Sequence, residues 1–219
     1  MNYKKSRDLA WKLLISRNIK SLPVDVYKIC KEENITLFTY SQGASFIKSI
    51  QLEEHMVDND AFSVGNIIFY DDTKPPQRRR FSIAHELGHI FLHTSFGDKA
   101  TVYNREPAPG DDPLETEANM FASRLLAPLC VLQFLNLNSI NEVSEFCDIS
   151  FTAAKFRFAR LCEIRKRNSE RRKEKNHGTF LLSKLERQVV ENFKEFIEQN
   201  KKDYSPDSSV SPGIASRKA

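Results

Sequence analysis

A chain of 219 residues, 40% hydrophobic and 28% charged, can bury a sizeable core and is too short for a large multidomain enzyme. Its longest apolar run, around Leu125 to Leu132, falls well short of the roughly 18 residues that span a bilayer and contains Pro128, which excludes a helical membrane protein. The net charge of +4 is local: residues 165–178 hold seven Lys or Arg against two Glu, so any pull toward nucleic acid belongs to that stretch.

The first twenty residues mix charged with apolar side chains, which predicts an amphipathic helix over 6–19 rather than a signal peptide, with Leu9, Leu13 and Leu14 on one face. After Pro23, VDVYKICKEEN predicts a second helix burying Val26, Ile29 and Cys30. Three short β-type runs follow, ITLFTY (35–40), SFIKSI (45–50) and NIIFY (66–70), and predict a small antiparallel sheet. Pro75 and Pro76 precede a strong helix from about Phe81 to His93, apolar nearly all round. Residues 94–113 have no period, and a structureless loop of that length suggests a functional role. A helix over 113–126, three short helices over 129–162 and an amphipathic helix over 180–199 complete the pattern, before a Ser- and Pro-rich tail expected to be disordered. The last of these helices is expected to fold back on the core in preference to dimerising. The four cysteines, Cys30, Cys130, Cys147 and Cys162, are widely spaced, and read as buried thiols of a reducing cytoplasm.

The sharpest feature is His85-Glu86-Leu87-Gly88-His89. Residues four apart on an α-helix differ by about 40° around the axis and about 6 Å along it, so both imidazoles can face one metal ion. Glu86 lies about 100° off that face, poorly placed as a ligand but able to reach a water on the metal and take its proton. Zinc is the natural occupant, because it polarises a carbonyl and brings a bound water's pKa toward neutrality. Gly88, costly in a helix interior, reads as space left for metal, water or substrate.

A catalytic zinc needs a third protein ligand, and His93, Glu115 and Glu117 are the candidates. His93 lies about 12 Å along the same helix from His85, so its expected role is to pack at the helix end or line the cleft beside the ligands. The stretch ETEANMFASRLLAP offers a ligand from a second helix. Glu115 and Asn119 share a face there, while Glu117 points about 160° away from Glu115. With Glu115 on the metal, the Asn119 oxygen could fix the tautomer of a ligand histidine.

FSIAHELGHIFLH followed some twenty residues later by ETEANMFASRLLAP resembles the ImmA/IrrE family of metallopeptidases. The resemblance reaches back through RRRF, NIIFY and SLPVDVYKIC and forward to about Leu161, roughly residues 5–162. Ala127 stands where a Met is common, outside the chemistry. The resemblance implies an α+β fold: a mostly helical, zincin-like core with a small antiparallel sheet and a C-terminal helical extension. It implies one zinc ion held by His85, His89 and Glu115, with Glu86 as catalytic base. It implies a cytoplasmic bacterial endopeptidase whose protein substrate is a helix-turn-helix transcriptional repressor, the anti-repressor device of mobile elements and stress responses, here in stand-alone form. His93, Tyr103 and Arg105 are positional candidates for a transition-state donor.

The expected organisation is a peptidase core at 1–128, a helix-turn-helix-like bundle at 129–164, a basic linker and amphipathic helix at 165–200, and a tail at 201–219. A competing expectation is a DNA- or partner-binding regulator. NEVSEFCDISFTAAKFRFARL has the outline of a helix-turn-helix exposing Thr152, Lys155 and Arg160, and 165–175 could make weak phosphate contacts. A packing role for these helices is the favoured of the two, and a purely structural metal is disfavoured by the intact Glu86.

Overall fold

The computed structural model describes residues 3–93, 112–175 and 182–202; the loop expected at 94–113 falls almost wholly outside them, as do Tyr103, Arg105 and most of the expected tail. The order of elements is α1 (Tyr3–Ser16), α2 (Val26–Glu32), β1 (Thr36–Thr39), α3 (Tyr40–Ser49), α4 (Glu53–Asp58), β2 (Ala61–Val64), β3 (Ile67–Tyr70), α5 (Pro76–His93), α6 (Pro113–Leu126), α7 (Leu129–Phe134), α8 (Ile140–Cys147), α9 (Phe151–Lys175), α10 (Lys184–Asn192) and α11 (Lys194–Asn200). This is the expected α+β fold, mostly helical with one small sheet. No helix of the described residues is long and apolar enough to cross a membrane.

The sheet is mixed, not antiparallel. Its order is β1-β3-β2, with β1 parallel to β3 and β2 antiparallel to β3. The run SFIKSI, expected as a strand, lies in α3, and the third strand is Ala61–Val64 instead. The cause is local. Thr39 caps α3, its hydroxyl accepting from the Gln42 amide while the Gln42 side chain accepts from the Thr39 amide, so the chain enters a helix directly from β1. With α3 and α4 as the crossover, β1 and β3 run parallel, whereas β2 and β3 form a hairpin around Gly65, whose φ of +56° favours glycine.

Strand alternation divides the core. Ala61 and Ile68 join the main cluster, while Phe62 and Phe69 pack on the other face with Tyr40 and Ile47. The main cluster is built on α5 and α6, with α1 laid across them. Arg80, buried on α5, donates to the carbonyls of Val24 (2.8 Å) and Cys147 (3.1 Å) and to the carboxylate of Asp148 (2.7 Å). It thereby ties α5 to the entry of α2 and to the α8–α9 turn.

The basic run, expected as a linker from residue 165, continues α9 to Lys175, a single helix of 25 residues. In the segment read as a helix-turn-helix, α8 ends at Asp148, whose φ is +47°, and α9 follows with Thr152, Lys155 and Arg160 exposed. The final amphipathic stretch breaks at Phe193 into α10 and α11 and folds back: Val189, Phe193 and Ile197 are buried, and Asn192 donates to the carbonyl of Ile19 at 2.6 Å. Three cysteines are buried as expected, but Cys162, on the outer side of α9, is exposed.

Candidate metal centre

The centre forms where α5 and α6 come closest. Pro76 starts α5, and the helix runs without a break for 18 residues, so His85 and His89 share a face. Asp112 caps α6 by accepting from the Leu114 amide at 2.8 Å, with Pro113 in the first turn; this fixes Glu115 in the first turn of the helix, facing α5. His85 and His89 Nε2 are 2.9 Å apart. Each lies 3.1 Å from a Glu115 carboxylate oxygen, His85 from Oε2 and His89 from Oε1. His85, His89 and Glu115 form a group able to hold a metal ion, and Glu117 is not part of it.

Gly88 has a different role from the one expected of it. A Cβ there would stand 3.0 Å from the Cα of Ala118 and 3.1 Å from its carbonyl oxygen. The missing side chain makes room for the α6 backbone, not for a ligand. Ala118 lies between Glu115 and Asn119, so this close approach carries both residues up to the histidines.

His85 Nδ1 lies 3.0 Å from Asn119 Oδ1. An amide oxygen only accepts, so Nδ1 carries the hydrogen and Nε2 keeps a bare lone pair aimed at His89 and Glu115. The His85 lone pair, a His89 ring nitrogen and a carboxylate therefore meet at one point, with His85 and His89 6% and 1% exposed. The donor set suits zinc: nitrogen and oxygen ligands about 2.0–2.1 Å from a tetrahedral ion are about 3.4 Å apart, close to the spacings found.

Glu86 is 3% exposed and is not part of that group. Its Oε2 accepts a hydrogen bond of 2.8 Å from Ser63 Oγ on β2. Ser63 is not among the residues that the sequence singles out, because AFSV is too short to stand out as a strand; the available signal is a polar residue alternating with apolar ones before a Gly turn. His93 Nε2 donates to the Leu114 carbonyl at 3.2 Å, joining the end of α5 to the start of α6. Its ring lies 5.5 Å from that of His89, and burial, then the neighbouring His89 ring, hold it below the ordinary imidazole range.

A cleft of about 410 Å³ opens beside the centre, bounded by His85, Glu86 and Glu115 and running past Phe81 to Asp60 and Arg78, which pair with each other. A buried carboxylate, Glu86, and two members of the candidate metal group thus line one cleft.

A fold of this kind around such a His-Glu-His helix defines a class of metallopeptidase. The family model of peptidase M78, described as the IrrE N-terminal-like domain, matches residues 30–159, more than half of the chain, and the chain belongs to that family. No curated protein matches the chain. The match runs from the end of α2 to the middle of α9, leaving α1, the basic end of α9 and the two C-terminal helices outside it.

Proposed function

We propose that this metallopeptidase-family chain is a zinc-dependent endopeptidase whose substrate is a helix-turn-helix transcriptional repressor. The observation that carries the metal reading is the convergence of His85, His89 and Glu115 at 2.9–3.1 Å, with Asn119 holding His85 in the tautomer a ligand needs. Bound there, zinc supplies Lewis acidity toward a peptide carbonyl and brings a water's pKa toward neutrality. Glu86, a buried carboxylate beside this group, would act as the general base toward a water molecule and return the proton to the leaving amine. The cleft past Phe81 holds the substrate chain while the closed α5–α6 pair keeps bulk water from the other side of the imidazoles.

The repressor substrate and a cytoplasmic setting rest on the family resemblance; membership supports a protein substrate in general. The decisive experiment incubates the metal-loaded protein with a helix-turn-helix repressor nominated by adjacency of its gene, with and without chelator. Chelator-sensitive cleavage that Glu86→Gln abolishes is the expected result. Cleavage unchanged in Glu86→Gln overturns the mechanism, and an intact repressor beside a fully loaded protein overturns the substrate assignment.

A further inference from the structure

We infer that Ser63 is a positioning residue that keeps Glu86 a base and prevents it from becoming a fourth ligand of the metal. The inference rests on the metal reading above and concerns a residue that this reading does not use.

A base close enough to take a proton from water on a metal ion is within a side-chain rotation of binding the ion itself. Were Glu86 to do so, His85, His89, Glu115 and Glu86 would fill a tetrahedral site and leave no position for water, which is the arrangement of structural zinc, not catalytic zinc. Something must hold the carboxylate back. Ser63 supplies a directional constraint.

Ser63 sits within β2, opposite Ile68 of β3. It is 5% exposed, on the face of the strand turned toward α5, between Phe62 and Val64 whose side chains point the other way. A buried strand position of this kind ordinarily takes Val, Ile or Ala, and a hydroxyl placed there is destabilising unless it is hydrogen-bonded. Its partner is Glu86 Oε2, at 2.8 Å. An O–H donor to a carboxylate makes one of the stronger hydrogen bonds available to a neutral side chain. With Oε2 held against the sheet, the side chain cannot rotate toward the histidines without breaking the bond. The sheet thus contributes to the chemistry through one hydroxyl: β2 is the strand that packs most closely on α5, and Ser63 is its point of attachment.

The test uses cobalt(II) in place of zinc, since its visible absorption reports coordination number, and compares wild type with Ser63→Ala, Ser63→Thr and the double variant Ser63→Ala/Glu86→Gln. In Ser63→Ala the spectrum is expected to change, metal affinity to rise several-fold, and peptide-bond hydrolysis to fall at least tenfold. Ser63→Thr, which retains the hydroxyl, should restore the wild-type spectrum and affinity, and the double variant should restore the spectrum without restoring activity, because an amide is a poor ligand. A Ser63→Ala protein that is folded by circular dichroism and whose cobalt spectrum and affinity match wild type overturns the inference while leaving the metal site standing. Failure of the wild type to bind cobalt at all overturns the metal reading and this inference with it. Should Ser63→Ala not fold, Ser63→Thr is compared with Ser63→Cys, which fills the same space with a weaker donor: different spectra support the inference, and identical spectra overturn it.

Discussion

Glu115 and Glu117 are two residues apart on one helix, yet only Glu115 belongs to the metal group. Glu115→Ala is therefore expected to lose stoichiometric metal, whereas Glu117→Ala keeps it; metal analysis after desalting distinguishes them. Asn119→Ala should weaken metal binding by about 10–100-fold, the usual effect of removing the partner that orients a ligand histidine. These residues are legible in the sequence because helical spacing is rigid: His85 and His89 must share a face, and Glu115 must share one with Asn119. Ser63 is not legible, since nothing in sequence separation links residue 63 to residue 86. Gly88 looks like open space in the sequence for a similar reason, because the helix that fills the space is 30 residues away. The cysteines show the same division between local and tertiary information. Burial pushes the thiols of Cys30, Cys130 and Cys147 up to about 12, so in the native protein they should resist a thiol reagent at neutral pH, while Cys162 reacts. Labelling of more than one cysteine in the folded protein would contradict this burial.

At the scale of elements, the pairing of α5 with α6 decides whether the centre exists. Intrinsic propensity alone favours Gly88→Ala by about 1 kcal/mol. The added methyl group would meet the Ala118 backbone, whose position is fixed by both helices, so the helices must separate. Overpacking of this kind costs about 1–3 kcal/mol, and because Glu115 and Asn119 move with α6, metal affinity should fall by about tenfold or more. Competition with a chromogenic chelator measures this; an unchanged affinity would show that the close approach does not set the geometry. The largest difference between expectation and fold belongs to the same scale. SFIKSI looks like a strand by composition, but Thr39 and Gln42 cap a helix just before it, and the cap prevails over β propensity. The parallel pairing of β1 with β3 follows from that helix, and three short apolar runs taken one at a time do not reveal it.

Over the whole molecule, the matched region from residue 30 to 159 is flanked by segments that pack on each other: α1 from the N-terminal side and α10 from the C-terminal side. Asn192 reaches the carbonyls of Leu14 and Ile19, and the amide of Lys202 donates to the carbonyl of Leu135 at the end of α7. Because α1 also lies along α6, the C-terminal helices support the element that presents Glu115 without belonging to the metal group. Phe193, fully buried at the break between α10 and α11, is the anchor of this arrangement. Replacing it with Ala should cost about 3–5 kcal/mol and lower Tm by about 10 °C. If α10 and α11 were an appendage folding independently, the variant would melt in two steps, with the metal-dependent transition at its wild-type temperature. A single transition, shifted down as a whole and raised again by added zinc, is the expected outcome, since a ligand that binds only the folded state stabilises everything that unfolds with its site. Calorimetry with and without metal therefore determines whether the segments outside the family match are part of the peptidase or merely attached to it.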